Sequence, residues 1–394
     1  METIKLSEIQ KAKNILILSG DVRINKIEKE LLKYDGDILV IIFDKSYDTQ
    51  KYLKINNAFS KFNKKNVSLK FFNWNAFPSG LVKKWNSHKI SFDKIDHIYH
   101  GVKKENLKLV DFLKKIYGNE KIELAIKKLI LEKLHIYLEK FNVYATIYEH
   151  NAKSLMIINS NEFKFFEKKL GMFKQHNYKV IQFTNAAKII FTNIKLLSLF
   201  LIYPIIAILS CRKIRFKQNS NKKLAIRVYK GGFRVNSKPS VDWILESKIK
   251  KNSAIFVIED KIDQKFLEEI KSKNYSYYIC TNRTPSRELN LNWLIKLIFY
   301  YPFIILSKIP NLIFSNLLIK EIVVHTYINY FKWNIFNSNY KPKVYFSYHN
   351  YETMHILRNI ILNKNDCSSI MYKHTFSENV FDESNNYNNV SQGF

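Results

Sequence analysis

The sequence predicts an α/β fold built from two domains, each with a parallel sheet. Three observations carry this reading. Short apolar runs rich in β-branched and aromatic residues alternate with amphipathic stretches at helical spacing. The alternation occurs as two series, separated by a very apolar stretch at 189–211. The second series ends in a complete β-α-β pattern at 341–380, where short connections favour parallel strands.

In chain order, residues 14–18 form a compact apolar run that ends in Ser19, Gly20 and Asp21. An amphipathic stretch through Leu32 and a second run at 38–43 complete a strand-helix-strand unit. The Gly20 turn lacks the spaced glycines of a dinucleotide fingerprint and reads as an ordinary βα loop. Strands are expected at 67–72 and 95–99, a helix at about 120–140 and a strand at 143–148. In the second series, strands are expected at 224–229, 254–258 and 277–280, with helices near 241–250 and 263–273. Gly231 and Gly232 follow the first of these strands. There the backbone could approach a ligand closely, with Lys230 and Arg234 near enough to meet a phosphate. The last unit has a strand at 344–348, a helix capped by Asn350 and carrying Met354, Leu357, Ile360 and Ile361, and a strand at 368–372. The expected division is 1–185, an apolar and basic segment 186–218, a second domain 219–380 with an apolar helical insertion 291–320, and a tail 381–394.

His100, His150, His349 and His374 each follow an expected strand, which accounts for four of the 10 histidines. Parallel strands would bring them to ligand-binding edges. Glu149 beside His150, and Glu378 four residues after His374, are carboxylates suited to act as a base or to orient an imidazole. A strand-terminal histidine is, on the other hand, commonly a structural one.

Composition bounds the partners. Hydrophobic residues are 46% and aromatics 15% of 394, enough to bury a core in each domain and to exclude a largely unfolded chain. Lys and Arg number 64 against 34 Asp and Glu, and the resulting +30 must attract an anionic surface. Lys is interleaved with Ile, Leu and Phe throughout, which suits an anionic membrane better than nucleic acid, for which no module is evident. Abundant Lys, Asn and Ile, with only 9 Gly and 7 Pro, also fit a genomic bias. Cys211, Cys280 and Cys367 are far apart and form no zinc or disulfide pattern, so a cytoplasmic location is expected.

The stretch 189–211 is just long enough to span a bilayer, but Lys195 and Pro204 interrupt it and Arg212, Lys213, Arg215 and Lys217 follow it. A kinked helix lying in the interface, with basic side chains reaching lipid phosphates, accounts for all three features. Residues 293–318 repeat the style, with Lys296 and a Tyr301-Pro302 break flanked by Trp293 and Tyr300. The competing reading buries both helices in the protein core.

The order strand, helix with internal Arg358, strand, then Lys373-His374-Thr375 resembles the end of the first Rossmann-like half in GT-B-type glycosyltransferases of surface-polysaccharide biosynthesis, where the final loop is Gln-His-Gly-like. Gln and Gly are both missing, so His374 is the one residue that carries over. The resemblance implies two Rossmann-like domains and transfer of a sugar from a nucleotide-sugar donor to a lipid-linked or polysaccharide acceptor in capsule or lipopolysaccharide assembly, at the inner face of the plasma membrane. Such chemistry needs a base for the acceptor hydroxyl and cations for the leaving phosphate. His374, His349 and Glu378 are the expected candidates for the first role. Lys373, Arg358, Arg234, Gly231 and Gly232 are expected to bind substrate or phosphate, with His150 and Glu149 at the neighbouring strand end. A metal-independent mechanism is expected, with no cofactor. The chain would stop where a donor half continues, unless the two domains together are the whole device. The alternative function is a non-catalytic membrane-associated scaffold or export partner of the same pathway.

Overall fold

The computed structural model describes residues 4–20, 22, 24–34, 36–43, 57, 67–72, 87–118, 121–183, 186–216, 222–228, 243–259, 264–280, 288–347 and 353–371. The chain forms two compact units. The first contains Met1–His100 and Ile130–Thr192, the second Gly101–Leu129 and Asn193–Phe394. The short segment 101–129 therefore groups with residues far beyond it in the chain.

The first unit opens with helix α1 (Leu6–Lys11), strand β1 (Asn14–Gly20), α2 (Ile24–Leu31), β2 (Ile38–Ile42) and β3 (Val67–Phe71). Helices α3 (Ser87–Glu105), α4 (Leu107–Tyr117) and α5 (Ile122–His150) follow, then β4 (Ser154–Asn159), α6 (Asn161–Leu170), α7 (Met172–Gln175) and β5 (Val180–Gln182). The sheet is five-stranded and parallel throughout, in the order β3-β2-β1-β4-β5. All five residues of β2 are buried, as expected for a strand covered by helices on both faces. Helix α6 starts at Ser160, whose hydroxyl accepts a hydrogen bond from the Phe163 N–H, and ends at Gly171, whose φ of +63° favours glycine. Tyr144 on α5 donates its hydroxyl to the Ser154 carbonyl and to the Lys179 carbonyl, fixing that helix against β4.

Two expected strands are helical. Residues 95–99 lie in α3, where Ser91, Ile95, Ile98, Tyr99 and Val102 are buried at the 3.6-residue period. Residues 143–148 lie in α5, buried from Phe141 to Ile147 on every side, so that no alternation distinguishes them from a buried strand. The strand of this region is instead β4, a few residues later. His100 and His150, with Glu149, thus stand on helices and not at strand ends.

The second unit contains α8 (Ala186–Leu209) from Asn193 onward, β6 (Lys213–Arg215), β7 (Leu224–Arg227), α9 (Trp243–Glu246), β8 (Ala254–Ile258), α10 (Gln264–Ser272) and β9 (Ser276–Ile279). It continues with β10 (Glu288–Asn290), α11 (Leu291–Ile295), a π-turn at Lys296–Tyr300, α12 (Tyr301–Phe314), α13 (Leu317–Tyr340), β11 (Val344–Ser347), α14 (Thr353–Lys364) and β12 (Ser368–Met371). Its main sheet is also five-stranded and parallel, in the order β12-β11-β7-β8-β9, and β6 pairs with β10 separately. Counted from β7, this is the same 3-2-1-4-5 winding as in the first unit. The chain is therefore an α/β protein with two parallel sheets that resemble Rossmann-like domains of the GT-B kind.

Helix α13 is the centre of the second unit, with 18 of its 24 residues buried. Tyr327 and Phe331 on it receive Phe200 of α8, Phe112 of α4 and Tyr301 of α12, with ring centroids 4.4, 6.2 and 4.6 Å apart. Helices α8 and α12 bury only one stripe each, Leu196, Phe200, Tyr203 and Ala207 on the first and Tyr301, Ile305 and Leu312 on the second. In the most apolar windows of α8 and of Leu291–Phe314, which joins α11, the π-turn and α12, only 22% of residues are buried, and each 24-residue stretch is long and apolar enough to cross a membrane. Among the described residues, most of each window is therefore left uncovered by the protein's own core.

Candidate functional site

In a doubly wound sheet, ligands bind beyond the carboxyl ends of the strands, where the winding reverses. In the second unit that point lies between β7 and β11. Strand alternation decides which side chains meet there. Tyr345 pairs in register with Ala225, Phe346 with Ile226, and Arg227 with Val257. Arg227, Tyr345, Ser347 and Glu259, two residues beyond Val257, consequently share one face, while Ile226, Phe256, Ile258 and Phe346 pack in an apolar cluster on the other.

On the first face stands a buried charged cluster. Glu259 accepts from the Tyr345 hydroxyl at 2.9 Å, and the same oxygen lies 3.1 Å from Arg227 Nε and 3.3 Å from Arg358 Nη1. Lys332 Nζ, from α13, is 4.0 Å from the other oxygen. Arg227 Nη1 meets His355 Nε2, and Arg358 donates to Asn359 Oδ1 at 3.0 Å. Arg358 is fully buried, with its guanidinium 4.3 Å from the Tyr345 ring centroid and 5.6 Å from that of Trp333. It does not lie on a solvated helix face.

Burial alone would raise the Glu259 carboxyl pKa. The positive field of Arg227, Lys332, Arg358 and His355 outweighs this and holds it down at about 2. Burial pushes the Tyr345 phenol well up, so it remains a donor. Among the described residues, Arg227, Lys332 and Arg358 converge on one carboxylate near the carboxyl ends of β7, β8 and β11. Three basic side chains around one carboxylate leave a net positive charge, which favours an anion such as a phosphate nearby.

Of the residues singled out by sequence, Arg358 is in this cluster. His349, His374, Glu378, Lys373, Gly231, Gly232 and Arg234 lie outside the described residues. Glu149 and His150 end helix α5, in the first unit. Arg227, Glu259, Lys332, Tyr345 and His355 were missed. A charged residue at the end of each apolar run, Arg227 after Leu-Ala-Ile and Glu259 after Ala-Ile-Phe-Val-Ile, was the available signal. Among the described residues no group of three His, Cys, Asp or Glu side chains could hold a metal ion.

Compared with known proteins, the chain matches no protein-family model, no curated protein and no solved structure.

Proposed function

We propose that this protein is a membrane-peripheral glycosyltransferase that moves a sugar from a nucleotide donor to a lipid-linked or polysaccharide acceptor in surface-polysaccharide assembly. The observation that carries the reading is the buried cationic cluster around Glu259 at the winding reversal of the second parallel sheet. Its field favours the phosphates of a nucleotide sugar, and the fully buried Arg358 guanidinium orders that edge from beneath. Residues that follow β7, β11 and β12 in sequence would complete the site: Gly231, Gly232 and Arg234 beside the phosphates, Lys373 as a further cation, and His349, His374 or Glu378 as base. The base takes the acceptor hydroxyl proton, the acceptor oxygen bonds to the anomeric carbon, and the nucleoside phosphate leaves with the bonding electrons.

The exposed apolar faces of α8 and α12, with exposed Arg212 and Lys213 after α8, suit attachment to an anionic inner membrane leaflet, where a lipid-linked acceptor is found. Arg215 is not among the lipid-facing cations, since it pairs with Glu288 at 2.6 Å.

One observation favours the second reading, a non-catalytic scaffold. Arg227, Lys332 and Arg358 all turn toward Glu259, as groups that hold a fold together would. Calorimetric titration of the full chain with UDP, GDP and CMP separates the two. Saturable binding of one nucleotide, weakened by Lys373→Ala or His374→Ala, supports the enzyme; a folded sample that binds none of the three is the scaffold.

A further inference from the structure

Helices α4 and α12 face each other across a groove of about 510 Å³ that is distinct from the strand-end cluster. One wall carries Lys108, Asp111 and Lys115 at helical spacing, the other Tyr300, Ser307 and Lys308. Tyr330 of α13 lies at its base and shares a hydrogen bond, 3.1 Å long, with the Tyr301 hydroxyl. The volume falls in the range of about 300–1,000 Å³ usual for small-molecule sites. Its lining has two properties that seldom coincide. Three ammonium groups stand against one carboxylate, and none of Lys108, Lys115 or Lys308 forms an ion pair among the described residues. The neighbouring Lys103 and Lys114, by contrast, both pair with Glu123.

The second property is what borders the groove. Phe299, Phe303 and Leu306 form an exposed apolar row at 67%, 75% and 60% accessibility. At 100° per residue, Phe303 and Ser307 are about 40° apart around the helix axis, so this row runs beside the groove wall. Helix α8 adds Ile194, Leu201, Ile202 and Ile205, also exposed. The two apolar helices are held together at both ends. Strand β6 after α8 pairs with β10 before α11, and Lys320 donates both to Asn193 of α8 and to the Ile313 carbonyl of α12. A surface of this kind matches an amphiphile: anionic at one end, aliphatic at the other.

We infer that the groove between α4 and α12 binds the headgroup of a lipid phosphate monoester, whose chain lies along the Phe299, Phe303 and Leu306 row in the bilayer. Three lysines suit the three free oxygens of a monoester, which carries more charge than the diester of a bulk phospholipid. Asp111 opposes binding and keeps it reversible. The inference rests on the membrane attachment proposed above and supplies it with a specific ligand.

Vesicle flotation of the full-length chain tests it. Wild type should bind phosphatidylcholine vesicles doped with phosphatidic acid about tenfold more tightly than vesicles brought to equal surface charge with phosphatidylglycerol. The triple variant Lys108→Gln, Lys115→Gln, Lys308→Gln should lose that preference and retain wild-type binding to phosphatidylglycerol. Asp111→Asn should increase it, and Lys164→Gln, Lys168→Gln, Lys174→Gln, exposed positions on α6 and α7, should leave it unchanged. Equal weakening on both lipids, or a preference that survives the triple variant, would overturn the inference while leaving membrane attachment intact. Wild type that floats with no vesicle would defeat membrane attachment itself. Inorganic phosphate binding in calorimetry as tightly as the phosphatidic acid vesicles would assign the groove to free phosphate and overturn the lipid assignment.

Discussion

Glu259 is the residue on which the buried charges of the second unit depend. Its carboxylate is the shared acceptor for Arg227, Arg358, Lys332 and Tyr345, so removing it leaves three largely buried cations facing one another. Breaking a buried pair of this kind costs about 3–5 kcal/mol. Glu259→Gln should lower stability by that order in urea unfolding. The partly exposed Arg215–Glu288 pair is worth about 1 kcal/mol or less, so Glu288→Gln should be far milder. The pH dependence has a definite sign. The folded-state pKa of Glu259, about 2, lies below its ordinary 4.5, so its stabilisation is complete above pH 4.5 and is lost as pH falls toward 2. The urea midpoint of wild type should drop across that window, and Glu259→Gln should show a smaller drop; identical curves would remove Glu259 from this role. The cysteines give a second test. Burial pushes the Cys280 and Cys367 thiols up to about 12, whereas Cys211 is half-buried beside an exposed turn. A thiol reagent at pH 8 should modify Cys211 first, and rapid loss of Cys280 would contradict the packing of β9.

At the scale of elements, α8 and α12 are the ones whose sequence and environment disagree. Each has a mean character apolar enough for a core, yet each buries a single stripe against α13. Substitutions on the two faces should therefore act differently. Leu196→Ala removes a buried side chain and should cost about 2–5 kcal/mol in unfolding without altering vesicle binding per folded molecule. Phe299→Glu with Phe303→Glu introduces charge on the exposed row and should abolish vesicle flotation while leaving the circular dichroism spectrum unchanged. A variant that still floats would exclude this face from the membrane. The helices misread as strands, at 95–99 in α3 and 143–148 in α5, failed for a related reason. At 143–148 every side of the helix is buried, so neither the alternation of a strand nor the polar stripe of a surface helix is present. At 95–99 Asp96 and His97 are exposed and Ile95, Ile98 and Tyr99 buried at helical spacing, a period that five residues are too few to show.

The whole molecule repeats one winding, 3-2-1-4-5, in two units, but the chain does not divide between them at one point. Residues 101–129 group with the second unit, where Leu109, Val110, Phe112, Leu113 and Tyr117 of α4 are buried and Tyr117 donates its hydroxyl to the Thr326 carbonyl. A fragment ending at residue 192 should retain the first sheet and lose the partners of α4. Hydrogen exchange should then find β1, β2 and β4 protected and residues 107–117 exchanging freely. Protection of α4 in that fragment would show that it belongs with the first sheet.

The sequence by itself determined the fold class, because strands and helices of a parallel sheet announce themselves locally: Ile38–Ile42 and Ala254–Ile258 are uninterrupted apolar runs rich in β-branched and aromatic residues, and both are fully buried. It also located the two apolar helical stretches, since that signal is carried by adjacent residues, although α8 runs unbroken through Pro204. What only the tertiary structure decided is where side chains distant in sequence converge. Arg227, Glu259, Lys332 and Arg358 span 131 positions, and no local pattern relates them. Sheet order and register bring them together, and those depend on which strand each helix returns the chain to. The same holds for the α4–α12 groove, whose walls lie nearly two hundred residues apart and meet because both pack on α13.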